Sequence, residues 1–254
     1  VTGAGRSGER HRQLVERVVQ RFAMILLGFL LMVGCALPAN TALRDWARLA
    51  SILVDHPSAV VAPVPAERDG LLAQQEALAI YLYALSVLAT EESTLTFRAE
   101  PFAPLVPRAA AANPAAGPAV AELGRLLAAA RAANLPPGAR ANSAGSQTVV
   151  EDLRLRPLIR AADAPVQVLV GTLTQGIGGT DAPEQAAYRE VLAAIGQGHA
   201  MLKAGAADIR QREMARDIMA QEDRLRRLML ILAPDPMVGL RPDPAGLVGA
   251  VVQP

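Results

Sequence analysis

The chain has 254 residues, a formal net charge of +1, 52% hydrophobic but only 3% aromatic residues, and one cysteine. That charge leaves no electrostatic footprint for nucleic acid, and one cysteine excludes an internal disulfide framework. Residues 1–34 carry five Arg and two Glu, a net +3, so the rest of the chain carries about −2. Lys203 is the one lysine among 25 basic residues, which together with the alanine content reads as codon bias rather than as an arginine-based function.

The first element is an export segment. Arg6, Arg10, Arg12, Arg17 and Arg21 precede an apolar run from Phe22 to Leu37, with small residues near its end. This is the order of a basic n-region, an apolar h-region and a cut site. A spanning helix needs about 20 apolar residues. The 16 here, bounded by Arg21 and by Pro38 and Asn40, are short for a permanent anchor. The residues Leu31-Met32-Val33-Gly34-Cys35 resemble the lipobox of bacterial lipoprotein precursors, with Met32 where leucine is usual. The resemblance covers the leader alone and identifies no fold family. It implies that residues 1–34 are a signal peptide and that Cys35 is the lipidated first residue of the mature chain. It further implies attachment to a membrane of the bacterial envelope, facing the periplasm. Ala36 stands where an aspartate would signal inner-membrane retention, which favours the outer membrane. Cleavage after Ala36 or Ala39 to give a soluble periplasmic protein, an uncleaved anchor and a buried core segment are the alternatives.

Thr41–Val54 reads as a first helix capped by Thr41, with Leu43, Trp46, Ala50 and Leu53 on one side. Trp46 either rests on the membrane surface or, the favoured reading, packs on the main domain. Residues 56–69 carry Pro57, Pro63 and Pro65 and read as an extended linker. Gly70 to Thr90 is the clearest helix, since Leu71, Gln75, Leu78, Leu82, Leu85 and Ala89 alternate by four and three. A proline-dense connection reaches Pro107, and Arg108 to Ala112 makes a short helical turn. Ala119 to Ala133 is a helix stopped before Pro136-Pro137-Gly138, and Ala139 to Ser146 reads as a mobile polar stretch. Gln147 to Ala162 is a helix that Pro157 should kink or end, and Asp163 caps a new one with Pro165 in its first turn. Asp181 and Pro183 start a helix weakened by Gly196, Gly198 and Gly205. The last helix spans about Asp208 to Leu232, and a proline-rich, disordered tail covers residues 233–254.

Val166–Val170 could also be a strand, because short apolar runs are ambiguous. With Gly176-Ile177-Gly178-Gly179 it imitates a phosphate loop, but neither the spacing nor a lysine fits.

No common catalytic constellation is present: there is no G-x-S-x-G, no Glu-x-x-His pair and no H-E-x-x-H. His56, before Pro57, reads as a solvated loop residue. His199 reads as a helix contact or surface residue that could instead face a cavity and titrate near neutrality. Glu91-Glu92, Glu151-Asp152 and Glu222-Asp223 are sequence neighbours that point about 100° apart on a helix, so none forms a joint site. Arg224, Arg226 and Arg227 read as partners of the last pair on a solvated face.

The expectation is an all-α protein: an irregular antiparallel bundle of five to seven helices over residues 70–232. A segment 35–69, comprising anchor, short helix and linker, precedes it. The favoured function is a non-catalytic scaffolding or partner-binding role in the envelope, without cofactor or metal. The partners expected are the membrane, through the lipid, and an envelope protein; nucleic acid is not one. The alternative is a small-ligand-binding domain or weak-motif enzyme with a pocket lined by Tyr81, Tyr188 and His199.

Overall fold

A computed structural model describes residues 40–56, 59–62, 64–89, 95–97, 100–132, 146–177, 182–209, 211–232 and 248–250. Residues 1–34, expected to be a signal peptide, Cys35, Glu91-Glu92 and the stretch 139–145 lie outside the described residues, as does most of the expected tail. The chain divides after Pro38, and the described residues belong to the unit that follows.

That unit is an all-α bundle. Seven α-helices occur among the described residues: α1 (Thr41–Val54), α2 (Pro65–Leu88), α3 (Leu105–Ala112), α4 (Ala116–Ala132), α5 (Ser146–Gly176), α6 (Pro183–Ala204) and α7 (Arg212–Met229). A 3-10 turn, Glu100–Phe102, precedes α3. A three-residue antiparallel pair, β1 (Leu95–Phe97) with β2 (Val248–Ala250), ties one stretch of the expected tail to the α2–α3 connection.

Helix α2 is the axis of the bundle. Its apolar residues run around the whole helix, and Leu71, Ala77, Leu78, Tyr81, Leu82 and Leu85 are all buried. Among the described residues it is the one helix long and apolar enough to cross a membrane, and 72% of that apolar window is buried inside the bundle. A helix that is hydrophobic all round belongs in a core or a membrane, and here helices α1, α3, α4 and α5 pack on it.

Pairwise contacts fix the directions. Trp46 of α1 meets Gly198 of α6, and the Val54 carbonyl at the other end of α1 meets Tyr188, so α1 runs antiparallel to α6. Gln167 and Asp163 of α5 reach Gly196 and His199 of α6, again antiparallel. Tyr81 and Gln75 of α2 meet His199 and Tyr188, so α2 and α6 run parallel. Helix α2 packs closely on α3 at Gly70, where an added Cβ would lie 2.5 Å from the Ala112 Cβ and from the Arg108 carbonyl oxygen.

Four expectations are corrected. First, α1 packs on the main domain, as the favoured reading of Trp46 has it, with Leu43, Trp46, Ala47, Ala50 and Leu53 buried, but its cap differs. Its N-cap is Asn40 in the left-handed region, φ 69°, rather than Thr41, a conformation asparagine tolerates. Second, α2 begins at Pro65, not Gly70. Proline at a first helical position has the φ the helix needs and no donor to lose, so a residue read as linker opens the helix.

Third, α5 continues through Pro157 and Pro165 as one helix. Each internal proline removes one backbone bond and crowds the preceding turn, at about 3 kcal/mol in an isolated helix. Burial outweighs that cost. Leu155, Leu158, Ile159, Ala162, Val166, Leu169, Val170 and Leu173 form one buried stripe across both prolines, and each leucine, isoleucine or valine among them contributes about 1.5–3 kcal/mol when fully buried. Val166–Val170 is therefore helix, which removes the strand-and-phosphate-loop alternative. Fourth, His56 is buried rather than solvated, at 5% exposure.

Candidate functional site

The polar residues that could carry chemistry stand on the inward faces of α2, α5 and α6. On α5, Asp163 and Gln167 are four residues apart and share a face; on α6, His199 and Lys203 do the same. Because α5 and α6 run antiparallel, the two pairs meet. Asp163 Oδ1 accepts a hydrogen bond from His199 Nδ1 at 3.1 Å, and Asp163 Oδ2 accepts from Lys203 Nζ at 2.7 Å. The Gln167 amide donates to Asp163 Oδ1 at 3.2 Å and to the Gly196 carbonyl at 2.9 Å. On the inner side of the imidazole, His199 Nε2 lies 2.7 Å from the Tyr81 hydroxyl of α2. The order from surface to core is Lys203, Asp163, His199, Tyr81, with Lys203 half-exposed and His199 and Tyr81 fully buried.

Electrostatics fix the proton positions. Burial pushes the His199 pKa down, and Lys203 adds to this; the hydrogen bond and charge of Asp163 oppose it without prevailing. The ring is neutral at pH 7, with Nδ1–H donating to the carboxylate and Nε2 accepting from Tyr81 O–H. Burial raises the Asp163 pKa, but hydrogen bonds from Lys203, His199 and Gln167 outweigh it and hold the carboxyl below its ordinary value. Burial, with the Asp163 charge behind it, pushes the Tyr81 hydroxyl far up, so it stays a protonated donor.

Tyr188 belongs to a second network. Its hydroxyl donates to the Val54 carbonyl at 2.7 Å and accepts from the Gln75 amide at 2.6 Å; the same amide donates to the His56 carbonyl at 3.1 Å. The His56 and Tyr188 rings stand 6.3 Å apart, tilted. This network closes the connection between α1 and α2 over the start of α6. A third contact joins α5 to α2 through Thr172 Oγ1 and Gln74 Oε1, 2.6 Å apart.

The structure thus brings Tyr81 and His199 together and leaves Tyr188 apart. Tyr188 and His199 are eleven residues apart on one helix, about 16 Å along its axis at 1.5 Å per residue. All three side chains are fully buried. Asp163, Gln75, Gln167 and Lys203 are site residues that sequence reasoning does not single out, Asp163 because it reads as a helix cap. The signal available was the i, i+4 spacing of polar residues on otherwise apolar stripes.

The carboxylate–imidazole–hydroxyl order resembles the arrangement that activates a nucleophile. Here the hydroxyl is a phenol held protonated in the core, so its proton serves the imidazole instead of leaving for a base. Elsewhere, Glu222 is buried rather than solvated and pairs with Arg226 one turn on. Arg224 reaches Glu190 and Gln197 of α6 on the outer side. Among the described residues, no three His, Cys, Asp or Glu side chains gather as a metal site. No family model, curated protein or solved structure matches the chain.

Proposed function

We propose that this is an exported envelope protein, anchored by lipid at Cys35 and favouring the outer membrane, whose helical domain has a non-catalytic scaffolding or partner-binding role. One observation supports the reading of the domain. The residues best suited to chemistry are spent on one another: His199 is held by Asp163 and Tyr81, and Tyr188 by Gln75 and the Val54 carbonyl. Each of these bonds joins two helices or closes a helix connection, so the networks set helix register inside the core. The anchor rests on the leader sequence, a basic region and apolar run ending in Gly34-Cys35.

The test compares the membrane fractions of cells making the full chain and its Cys35→Ser variant by intact-mass analysis. The expected result is a wild-type chain that starts at Cys35 and carries the added mass of acyl chains, with both acylation and membrane attachment lost in Cys35→Ser. Unchanged mass and attachment in the variant contradict the anchor.

A further inference from the structure

The Tyr81 hydroxyl has one hydrogen-bond partner among the described residues, Nε2 of His199. That nitrogen can accept only while the ring is neutral. We propose that the Asp163–His199–Tyr81 chain is an acid-sensitive latch: protonation of His199 at Nε2 turns an acceptor into a donor, orphans the buried Tyr81 proton, and loosens α6 from α2. This goes beyond the tethered-scaffold reading and does not depend on Cys35.

The surroundings of the imidazole support a latch more than a passive contact. Helix α5 presents Asp163, helix α2 presents Tyr81, and α6 itself presents Lys203. Helix α1 presents the uncharged Trp46 at the neighbouring Gly198. Helix α7 sends Arg224 to Glu190 and Gln197, with no bond to His199. One carboxylate and one ammonium are therefore the charges acting on the ring. Both lie on its Nδ1 side, while the titrating Nε2 faces the core. In the closed bundle Nε2 is buried against the Tyr81 hydroxyl, so acid favours the form in which α6 and α2 have separated and Nε2 can hold a proton.

Trp46 reports the movement. It is the single tryptophan in the chain, and an added Cβ at Gly198, one residue before His199, would lie 2.7 Å from its ring. The experiment follows Trp46 fluorescence of the full chain from about pH 8 to about pH 4. Three forms are compared: wild type, His199→Gln and Lys203→Met. The expected wild-type result is a reversible step below the ordinary histidine range. His199→Gln abolishes that step. Lys203→Met, a change at a half-exposed site, moves it upward by about half to one pH unit, because a cation opposing the imidazolium is gone. A folded His199→Gln protein with the wild-type step overturns the latch. So does an unmoved midpoint in Lys203→Met, which decides the matter if His199→Gln does not fold.

Discussion

Asp163 and His199 stand 36 residues apart in sequence, yet Asp163 Oδ1 and His199 Nδ1 are 3.1 Å apart and join two antiparallel helices. The carboxylate also holds Lys203 and Gln167. Removing it strands three donors, one of them inside the core. Asp163→Ala is expected to cost about 1–3 kcal/mol, and Tyr81→Phe, which removes one neutral bond, about 0.5–1.5 kcal/mol. Urea unfolding of both variants checks the order.

Stability should pass through a plateau in pH with three distinct edges. His199 has a folded pKa below its ordinary 6.5. Its contribution is complete above 6.5 and is lost as pH falls through the depressed folded value. Asp163 is likewise depressed, from 3.8, so its contribution fades at still lower pH. Tyr81 is raised from 10.0; its contribution is complete below 10 and is lost as pH rises toward the folded value. Urea midpoints across pH should fall off on the acid side in wild type, and His199→Gln should lack the first of those losses.

Glycine sites on the helices separate packing from propensity. An added Cβ at Gly70 meets the Ala112 Cβ and the Arg108 carbonyl at 2.5 Å, whereas one at Gly171 meets nothing within 4 Å. Gly70→Ala is expected to destabilise by about 1–3 kcal/mol through overpacking of α2 on α3. Gly171→Ala is expected to stabilise by about 0.5–1 kcal/mol, since alanine restricts the unfolded chain and favours helix. Thermal melts of the two variants should shift in opposite directions.

Much of the bundle was legible because its helices carry a 3–4 spacing. The run Leu71, Leu78, Leu82, Leu85 predicts α2 correctly in kind, and its residues are buried as that spacing requires. What the sequence hid is where tertiary packing overrode a local signal. Pro157 and Pro165 are breakers in isolation, but the stripe from Leu155 to Leu173 buries enough surface to carry the helix through them. That same continuity turned Asp163 from an expected cap into a mid-helix carboxylate free to face His199. Tyr81 and His199 were recognisable as unusual side chains. Their pairing was not, because it depends on α2 and α6 running parallel across 118 residues of sequence.

The second network gives a local test. Tyr188 serves the Val54 carbonyl and the Gln75 amide at once. Tyr188→Phe leaves both without that hydroxyl, at an expected cost of about 1–3 kcal/mol. Hydrogen exchange should accelerate first in the α1–α2 connection, around residues 55–62, before it does at Tyr81 and its neighbours.

His199 is committed to the core as a neutral bridge between Asp163 and Tyr81. Imidazole nitrogen chemical shifts of the full chain at pH 7.5 test it most directly. The expected result is protonated Nδ1 and bare Nε2, unchanged down to about pH 6.5, the ordinary histidine pKa. An Nε2–H tautomer at pH 7.5, or a ring that titrates at an ordinary histidine pKa, contradicts it.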